Sequence, residues 1–336
     1  MTPDIYFPPE WAEQQFVQLT WPHNQTDWAP MLNEVNTCFV QIAKAILKFE
    51  ALLIVSPETE QVKHLLSGCD FSKITFANIP TNDTWARDHG GISIFEKGVR
   101  TICDFTFNGW GMKFAANYDN QITKTLFEQG IFGSATRYKS CLNMVLEGGS
   151  IETDGQGTLL TTKACLLSEN RNAASKSKIE KNLKTLLRAK KILWLKNGFL
   201  AGDDTDSHID TLARICPNNT IAYVQCTDIN DIHYHALKKM EAELKHFTNH
   251  AGEKFNLVPL PMADAVYFEG ERLPATYANF LIINGAVLVP TYQSKRDELA
   301  VEQIQQLFPD RKIIPIDCSA LIKQHGSLHC VTMQYV

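Results

Sequence analysis

The sequence predicts an α/β protein in which one small unit of strands and a helix recurs along the chain. Pairs of short apolar runs joined by turn residues occur four times, and each pair precedes a segment with helical apolar spacing. In three of the four, another apolar run follows the helix. This self-similarity favours one closed, cyclic structure over two unrelated domains, although 336 residues would by length alone suggest two. A generic α+β chain whose hairpins repeat by accident fits the pattern equally.

The segment before the repeats supplies further elements. A strand is predicted at 16–21, and the helix after it repeats Val35, Phe39, Ile42 and Ile46 at helical spacing. The remaining predictions in this segment are a strand at 51–55, a short helix at 60–66 and an apolar run at 73–76.

Each of the four repeats is predicted as a hairpin, a helix and, in most, a closing strand. The clearest turn is Asn284-Gly285. The hairpin strands are predicted at 86–95 with 100–105, 145–152 with 158–162, 208–215 with 220–224, and 278–283 with 287–290. The helices are predicted at 120–129, 174–189, 231–247 and 297–308, and the later strands at 191–195, 256–260, 312–316 and 328–334.

Composition excludes several classes of function. Apolar content of 44% and charged content of 21% are those of an ordinary globular protein. The net charge is -5 without a long basic run, which argues against nucleic acid or an anionic membrane as a partner. Met1–Asp4 do not begin a signal peptide. The nine cysteines are scattered singly, which favours a reducing cytoplasm.

The stretch from Asp203 to Asp210 is the most acidic part of the chain. If it is extended, Asp204, Asp206, His208 and Asp210 share one face. Such a face repels itself unless a cation lies on it. The cation could be a metal ion or a positively charged substrate.

Three other stretches combine residues of chemical interest. Trp85 and Asp88 precede Gly90-Gly91, and Glu147 precedes two further glycines. Each also fits a purely structural role, as a core tryptophan or an acidic turn. Cys330 alone would more often be a buried apolar filler than a nucleophile. His329 is not expected to act as its base, because adjacent residues of a strand point to opposite faces.

Together these residues suit attack on a guanidinium group. Carboxylates match the fork geometry of that flat cation and localise its charge. A thiolate can then add to the carbon, and a histidine can protonate the departing nitrogen. A protease would leave most of the acid unexplained.

Metal binding is the alternative chemistry. A Ca²⁺ loop of the EF-hand type needs Gly at its sixth position and Glu at its twelfth. Counted from Asp204, those positions hold Ile209 and Ile215. A transition-metal site built from His208 and the neighbouring aspartates stays open.

Several motifs, taken in order, resemble those of the agmatine deiminases, which are grouped with the peptidyl-arginine deiminases of Porphyromonas type. The resemblance spans nearly the whole chain and includes the N-terminal Pro9-Glu10-Trp11. Its principal motifs are Trp85-Ala86-Arg87-Asp88, Glu147-Gly148-Gly149, Asp204-Thr205-Asp206-Ser207-His208-Ile209-Asp210 and His329-Cys330-Val331-Thr332.

The resemblance implies a pentein fold, a five-bladed α/β propeller of strand-strand-helix-strand modules in one domain (1–336) around a central cavity. It also implies cofactor-free hydrolysis of agmatine to N-carbamoylputrescine and ammonia through an amidino-cysteine, a step toward putrescine and other polyamines. Carried over by position, Cys330 would be the nucleophile and His208 the general acid/base. Asp88 and Asp210 would clamp the guanidinium.

The remaining assignments concern the pocket walls. By the same resemblance Trp85 would wall the pocket and Glu147 would orient His208. Ser207 stands where the family usually has Gly, and the usual glycine-rich run before His329 is missing. Both departures concern substrate preference.

Asp204 is predicted to select the substrate. On an extended strand it would lie up to about 13 Å from His208, where it could meet the ammonium at the far end of agmatine. A solvated Asp204 is the structural alternative. The competing functions are deimination of arginine or peptidyl-arginine, and a non-catalytic metal- or polyamine-binding pentein. The expected partner is a small molecule, and a homo-oligomer is left open.

Overall fold

The computed structural model describes residues 5–336, so the predicted lack of a signal peptide at Met1–Asp4 lies outside the described residues. The strands are β1 Ile5–Tyr6, β2 Phe16–Thr20, β3 Ala51–Ser56, β4 Ile74–Asn78, β5 Ile92–Glu96, β6 Val99–Thr106, β7 Arg137–Val145, β8 Ile151–Thr153, β9 Thr158–Thr162, β10 Lys191–Leu195, β11 Ala213–Cys216, β12 Thr220–Gln225, β13 Asn256–Pro261, β14 Tyr267–Phe268, β15 Glu271–Arg272, β16 Leu281–Ile283, β17 Ala286–Thr291, β18 Lys312–Asp317 and β19 Thr332–Tyr335.

The helices alternate with these strands. The α-helices are α1 Leu32–Ile46, α2 Thr59–Leu65, α3 Ala86–His89, α4 Gly109–Met112, α5 Ile122–Glu128, α6 Lys163–Leu166, α7 Lys176–Leu186, α8 Tyr234–Leu244 and α9 Asp297–Leu307. Short 3₁₀ helices occur at Ala29–Met31, Phe71–Lys73, Asp119–Gln121, Gly148–Ser150, Ile209–Thr211 and Leu321–Gln324.

The predicted α/β class and its repeating unit are confirmed. In each of four units the first two strands are antiparallel and the third strand runs parallel to the second. The units are β5-β6-α5-β7, β8-β9-α7-β10, β11-β12-α8-β13 and β16-β17-α9-β18.

A fifth sheet joins the C-terminal strand β19 to three strands of the N-terminal segment, while β1 pairs with β5 in the sheet of the first unit. The strand order of the fifth sheet is β19-β2-β3-β4, with β19 antiparallel to β2 and the other neighbours parallel. The register pairs Thr332 with Leu19 and Tyr335 with Phe16. The C-terminal strand therefore supplies the first strand of a unit whose remainder comes from the N-terminal segment.

Apolar periodicity explains why these elements pack as they do. The predicted stripe on α1 (Val35, Phe39, Ile42 and Ile46) is fully buried, and each such side chain contributes about 1.5–3 kcal/mol by leaving water. The central strand β3 has neighbours on both sides and reads as a continuous apolar run, as buried parallel strands do. None of the described helices combines the length and apolarity needed to cross a membrane.

Several predicted strands begin too early, and the errors fall at the first strand of each unit. The segments 86–89, 146–150, 208–212 and 328–331 are turns or single helical turns, where the sequence predicted the first residues of strands. In addition, Val145 ends the unpredicted strand β7 and does not begin the next one. Each of these segments leads into the first strand of a unit, and we call them, with 278–280, the lead-in segments.

The five lead-in segments contact one another in a ring. Helix α3 packs against Gly148–Ser150, which packs against Ile209–Thr211. The Asn279 side chain donates to the carbonyl of Asp210 at 3.4 Å. The ring is completed by the His329 N–H, 3.2 Å from the Asn279 carbonyl, and the Arg87 N–H, 3.1 Å from the Cys330 carbonyl.

Candidate active site

A cavity of about 170 Å³ opens beside this ring of lead-in segments. Four of the seven predicted site residues line it: Trp85, Asp88, Asp204 and Cys330. The other lining residues are Asp27, Asp83, Trp110, Phe114, Asp203, Thr205, Thr211, Gln324, His325 and Gly326. Of the three remaining predicted residues, all buried, His208 lies 3.6 Å from Asp88 and Asp210 lies 3.9 Å from the Cys330 sulfur, while Glu147 has an oxygen within 4.8 Å of His208.

The unit architecture explains why these residues meet. Each lead-in segment carries one or two polar side chains shortly before the first strand of its unit, and the ring brings the five segments together. In chain order these side chains are Asp88, Glu147, His208 with Asp210, Asn279 and Cys330.

Asn279 holds Cys330 and was missed by the sequence analysis. Its Oδ1 accepts the N–H of His329 at 2.9 Å and that of Cys330 at 3.4 Å, which leaves Nδ2 to donate to the Cys330 sulfur at 3.3 Å. Burial raises the pKa of the Cys330 thiol well above its ordinary value, and the charges of Asp210 and Asp88 add to the effect. Without a cation in the cavity, Cys330 is therefore a thiol.

Asp88 is held by neutral donors. Trp110 donates from its indole nitrogen to Oδ2 at 2.9 Å, and the N–H of Gly149 donates to Oδ1 at 3.1 Å. Burial raises the pKa of Asp88 to about 6, opposed by His208 and reinforced by Asp210. This carboxylate lacks a strong built-in counter-ion.

His208 lies between acidic groups. Its Nδ1 is 3.6 Å from Oδ1 of Asp88, and ligand atoms of Glu147, Cys165 and His208 lie within 4.8 Å of one another. Burial opposes the imidazolium, but Asp88, Cys165 and Glu147 favour it more strongly, so the pKa of His208 is raised well above its ordinary value. Among residues 5–336, neither ring nitrogen has a hydrogen-bond partner.

Glu147 was predicted to orient His208, and the two side chains lie within 4.8 Å of each other without a hydrogen bond between them. Both oxygens of Glu147 accept from Nε of Arg171, at 2.9 and 3.2 Å. Arg171 was not among the predicted site residues. Gly149 packs against His208 and Asp88. Only glycine fits at this position, because a Cβ there would lie 2.7 Å from Nδ1 of His208 and 2.8 Å from Oδ1 of Asp88.

Asp210 is fully buried, with its two oxygens in different surroundings. Oδ2 lies 2.8 Å from Nδ1 of His329 and 3.9 Å from the sulfur of Cys330. Over the described part of the chain, Oδ1 has no hydrogen-bond partner. Burial would raise the pKa of Asp210, but His329, and then His208 and Arg214, lower it below its ordinary value.

The prediction that 203–210 is extended, with its acidic residues on one face, is wrong. Oδ1 of Asp203 accepts the N–H of Thr205 at 3.2 Å, and Oδ2 accepts the N–H of Ser207 at 2.6 Å, so this side chain folds the loop around itself. Asp206 and Ser207 take positive φ values of 64° and 62°. Ser207 thus occupies a backbone conformation that favours glycine.

The acidic side chains of this loop separate into different roles. Asp206 binds Arg171 at 2.5 Å and Lys113 at 2.8 Å, away from His208. Asp204 lines the cavity, and burial followed by the charge of Asp203 raises its pKa. The predicted spacing along an extended strand does not apply, but Asp204 and Cys330 do line the same cavity.

Aromatic rings form one wall of the cavity. Trp85 donates from its indole nitrogen to Asp83 at 3.0 Å, and its ring lies 6.4 Å from that of Trp110, edge to face. A Cβ at Gly326 would come within 2.0 Å of the Trp85 ring, so only glycine fits there. Trp110 was also missed by the sequence analysis. The signal for it was a tryptophan flanked by Gly109 and Gly111, in a turn where all three have positive φ.

The described residues contain two groups of three that could hold a metal ion, Glu147 with Cys165 and His208, and Glu10 with Glu152 and His329. Arginine already binds the carboxylates in both. Arg171 takes Glu147, and Arg214 takes Glu10 at 2.5 Å and Glu152 at 2.6 Å. A metal ion there would face a guanidinium at close range, so neither group fits one well.

The reason for expecting that His329 is not the base of Cys330 is wrong. Residues 328–331 form a turn, so strand alternation does not apply. The ring nitrogens of His329 lie 2.8 Å from Asp210 and 2.8 Å from Glu10.

Comparison with known proteins gives consistent matches over the whole chain. The family model of the Porphyromonas-type peptidyl-arginine deiminase matches residues 6–335. A structure named "Putative Arginine Deiminase" from Porphyromonas gingivalis has 56% identity and a TM-score of 0.95, covering 98% of each chain. A C. jejuni agmatine deiminase with substrate bound has 40% identity and a TM-score of 0.92, covering 98% of this chain and 96% of that one. A Legionella pneumophila protein named "Putative agmatine deiminase" is 33% identical over 98% of this chain and 94% of its own.

Proposed function

The chain belongs to the Porphyromonas-type peptidyl-arginine deiminase family and is an enzyme that acts on guanidinium C–N bonds, and we propose that its substrate is agmatine, which it hydrolyses to N-carbamoylputrescine and ammonia. One observation carries the proposal. Oδ1 of the fully buried Asp210 has no hydrogen-bond partner within residues 5–336, and Oδ2 of the same carboxylate lies 3.9 Å from the Cys330 sulfur. Buried polar atoms require partners, and a planar cation with several N–H donors would supply one to this acceptor beside the thiol.

The guanidinium is held by two carboxylates. Asp88 and Asp210 each offer an oxygen to its N–H groups, and such charge-assisted hydrogen bonds are strong. The Trp85 ring lies along the cavity wall and is suited to stack on the flat cation. The clamp localises charge on the nitrogens and leaves the central carbon more electrophilic.

Cys330 is the nucleophile. Binding of a cation beside its sulfur lowers the raised pKa of the thiol, so the thiol loses its proton to solvent through the cavity and a thiolate forms. Nδ2 of Asn279 donates to that sulfur. The thiolate adds to the guanidinium carbon, and His208, protonated in the free enzyme, gives its proton to the departing nitrogen. Ammonia leaves, and an amidino-cysteine remains.

The second half of the reaction uses the same groups in reverse. His208, now neutral, removes a proton from water, and the hydroxide adds to the amidino carbon. Collapse breaks the C–S bond, releases the ureido product and regenerates the thiol. Glu147 and Asp88 favour the imidazolium form needed at the start of each turnover.

The cavity favours a substrate with a cationic far end. Asp27, Asp83, Asp203 and Asp204 all line it, and none of its described lining residues is Lys or Arg. An α-carboxylate would meet acid there, whereas the ammonium of agmatine would be attracted. Asp204 is the proposed partner of that ammonium.

Deimination of arginine or of a peptidyl-arginine is the second candidate. It is favoured by the 56% identity to the Porphyromonas gingivalis protein named as an arginine deiminase. His325 also lines the cavity and, when protonated, would offer a carboxylate one cationic neighbour.

The test is ammonia release from agmatine, free arginine and an arginine-containing peptide, measured side by side. Agmatine should give the highest kcat/KM, and comparable values for arginine would contradict the assignment. Cys330→Ala should abolish turnover with the fold intact, and acid-quenched wild type should carry added mass on the Cys330 peptide alone. Undiminished ammonia release by Cys330→Ala would exclude the mechanism.

Further proposals follow from the same assignment. The five sheets of three or more strands would form a single-domain five-bladed pentein propeller (1–336), supported by the repeated units and by the sheet that joins β19 to the N-terminal strands β2, β3 and β4. We also propose a cytoplasmic enzyme of putrescine synthesis, with a small-molecule substrate, no nucleic-acid partner and no bound cofactor; a homo-oligomer is compatible with it.

A further inference from the structure

His329 is a buried histidine that the proposed chemistry does not use. It precedes Cys330 directly, and its side chain is only 2% exposed. Its Nδ1 lies 2.8 Å from Oδ2 of Asp210, and its Nε2 lies 2.8 Å from Oε2 of Glu10 and 3.1 Å from Nη2 of Arg214. A histidine with both nitrogens engaged is a fixed part of the site.

The hydrogen-bond partners of His329 determine that its Nδ1, which faces Asp210, carries a proton. An ionised carboxylate only accepts, and a guanidinium only donates. If Nε2 accepts from Arg214, the neutral ring must carry its proton on Nδ1. If Nε2 donates to Glu10, the ring is an imidazolium with a proton on both nitrogens, because Nδ1 also faces a carboxylate. In either state Nδ1–H donates to Asp210.

The two clamp carboxylates differ in this respect. Asp88 receives only the neutral donors Trp110 and Gly149, and burial raises its pKa to about 6. Asp210 is at least as deeply buried, yet its pKa is lowered, and the hydrogen bond from His329 is the main effect that opposes burial. Without that bond, a carboxyl 3.9 Å from the Cys330 sulfur would be prone to hold a proton or turn toward the thiol.

We propose that His329 is a positioning residue that donates from Nδ1 to Oδ2 of Asp210 and thereby keeps this carboxylate ionised, with Oδ1 directed to the substrate cation. The proposal rests on the proposed function, because it takes the guanidinium as the partner of Oδ1. Over the described chain Oδ1 has no other hydrogen-bond partner.

A layer of charge behind His329 fixes its ring. Arg214 is fully buried and binds Glu10 at 2.5 Å, Glu152 at 2.6 Å and the carbonyl of Ala278 at 3.0 Å. Arg87 reaches the carbonyl of His329 at 3.4 Å. The groups that face the His329 ring are therefore Asp210, Glu10, Glu152 and Arg214, with Arg87 beside its main chain.

Two substitutions separate positioning from packing. In His329→Asn the amide nitrogen can occupy the place of Nδ1 and still donate to Asp210, whereas in His329→Gln it reaches the place of Nε2 and faces Glu10. With agmatine, His329→Gln should lose about ten- to a hundredfold in kcat/KM, as expected for a lost hydrogen bond to a charged group. The loss in kcat/KM should be several-fold smaller in His329→Asn than in His329→Gln. The acid limb of the pH profile of kcat/KM should move to higher pH only in His329→Gln.

A double-mutant cycle provides the decisive readout. If His329 acts through Asp210, adding His329→Gln to Asp210→Ala should change the residual activity by about twofold or less, because the acceptor of the bond is already gone. Additive losses, or equal losses for His329→Asn and His329→Gln, would overturn the proposal.

A measurement on the wild-type protein covers the case in which the variants do not fold. In protein labelled with ¹⁵N-histidine, Nδ1 of His329 should remain protonated across the pH range of folding, and an unprotonated Nδ1 would overturn the proposal. Wild-type turnover is measured in parallel. Wild type without activity on any guanidine substrate would contradict the proposed function, while the nitrogen spectrum still decides the state of His329.

Discussion

Two clusters of ionisable side chains flank Asp210. In the front cluster, Asp88, Asp204 and Cys330 line the 170 Å³ cavity and His208 lies behind Asp88. The rear cluster, Glu10, Glu152, Arg214 and His329, borders a separate cavity of about 80 Å³, which Glu10, Glu152 and His329 line with Arg87. Three members of each cluster are buried, and one in each, Asp204 and Glu10, is partly buried.

The clusters differ in how their charge is balanced. In the rear cluster, Arg214 binds both Glu10 and Glu152. Burial alone would raise the pKa of Glu10, but Arg214 and His329 outweigh it, and the pKa of Glu10 falls well below its ordinary value. In the front cluster, Asp88 has a raised pKa and no arginine or lysine within salt-bridge distance among the described residues. Removing the arginine from a buried ion pair leaves its acids unpaired and destabilises the fold. Within residues 5–336, Asp88 faces only a titratable histidine, His208, at 3.6 Å, and such a carboxylate is available to bind a substrate cation.

The largest expected effect is on catalysis in the front cluster. His208→Asn removes the proton donor and the base for water, so kcat should fall by about a hundredfold to ten-thousandfold, without a lower thermal midpoint. His64→Asn, on an exposed face of α2, is the control and should leave kcat unchanged. A loss below about tenfold would assign the proton transfers to another residue.

The rear cluster should respond in stability. Arg214→Met leaves Glu10 and Glu152 buried without their cation, so the free energy of unfolding should fall by about 3–5 kcal/mol. Asp88→Asn, in contrast, should not destabilise the protein. The pKa of this carboxyl is raised to about 6 in the folded protein, so its ionisation lowers the free energy of unfolding as pH rises from the unfolded-state pKa through about 6. Denaturant titration at neutral pH measures both. Equal destabilisation by the two variants would remove the distinction between the clusters.

Asp204 tests how far the unbalanced acid serves substrate binding. Asp204→Asn should raise KM for agmatine by about ten- to a hundredfold, or about 1.5–3 kcal/mol for a hydrogen bond to a charged group. The effect on kcat should be smaller, since the contact is similar in ground and transition states. Asp206→Asn is the matched control, because Asp206 binds Lys113 and Arg171. A KM unchanged in Asp204→Asn would make Asp204 a solvated wall residue.

The smallest effect is a displacement between two pH profiles. Asp88 has a pKa of about 6 in the substrate-free protein, so kcat/KM should decline as pH falls through about 6 and the clamp becomes neutral. Bound guanidinium favours the carboxylate, so the acid limb of kcat should lie at lower pH. At alkaline pH both should decline as His208, whose pKa is raised well above its ordinary value, loses its proton. Coincident acid limbs would argue against Asp88 as the clamp.

Strand-like periodicity is misleading in this chain mainly where a side chain competes with the backbone for hydrogen bonds. The acidic stretch alternates like a strand, but the carboxylate of Asp203 takes the N–H groups of Thr205 and Ser207 and folds a loop. The same happens at the tail, where Oδ1 of Asn279 takes two N–H groups before β19 begins. Periodicity does not register such local bonds, and so the lead-in segments were predicted as strands.

The sequence by itself determined the repeating α/β unit, because turn residues and apolar spacing act over a few neighbouring positions. It also identified seven side chains that the fold gathers in and around one cavity, since few residue types suit guanidinium chemistry. Only the tertiary structure decided which acids are paired. Arg214 meets Glu10, and Arg171 meets Glu147 and Asp206, across long stretches of chain. Charge pairing depends on distance through space and on burial, and both arise only when the lead-in segments close their ring.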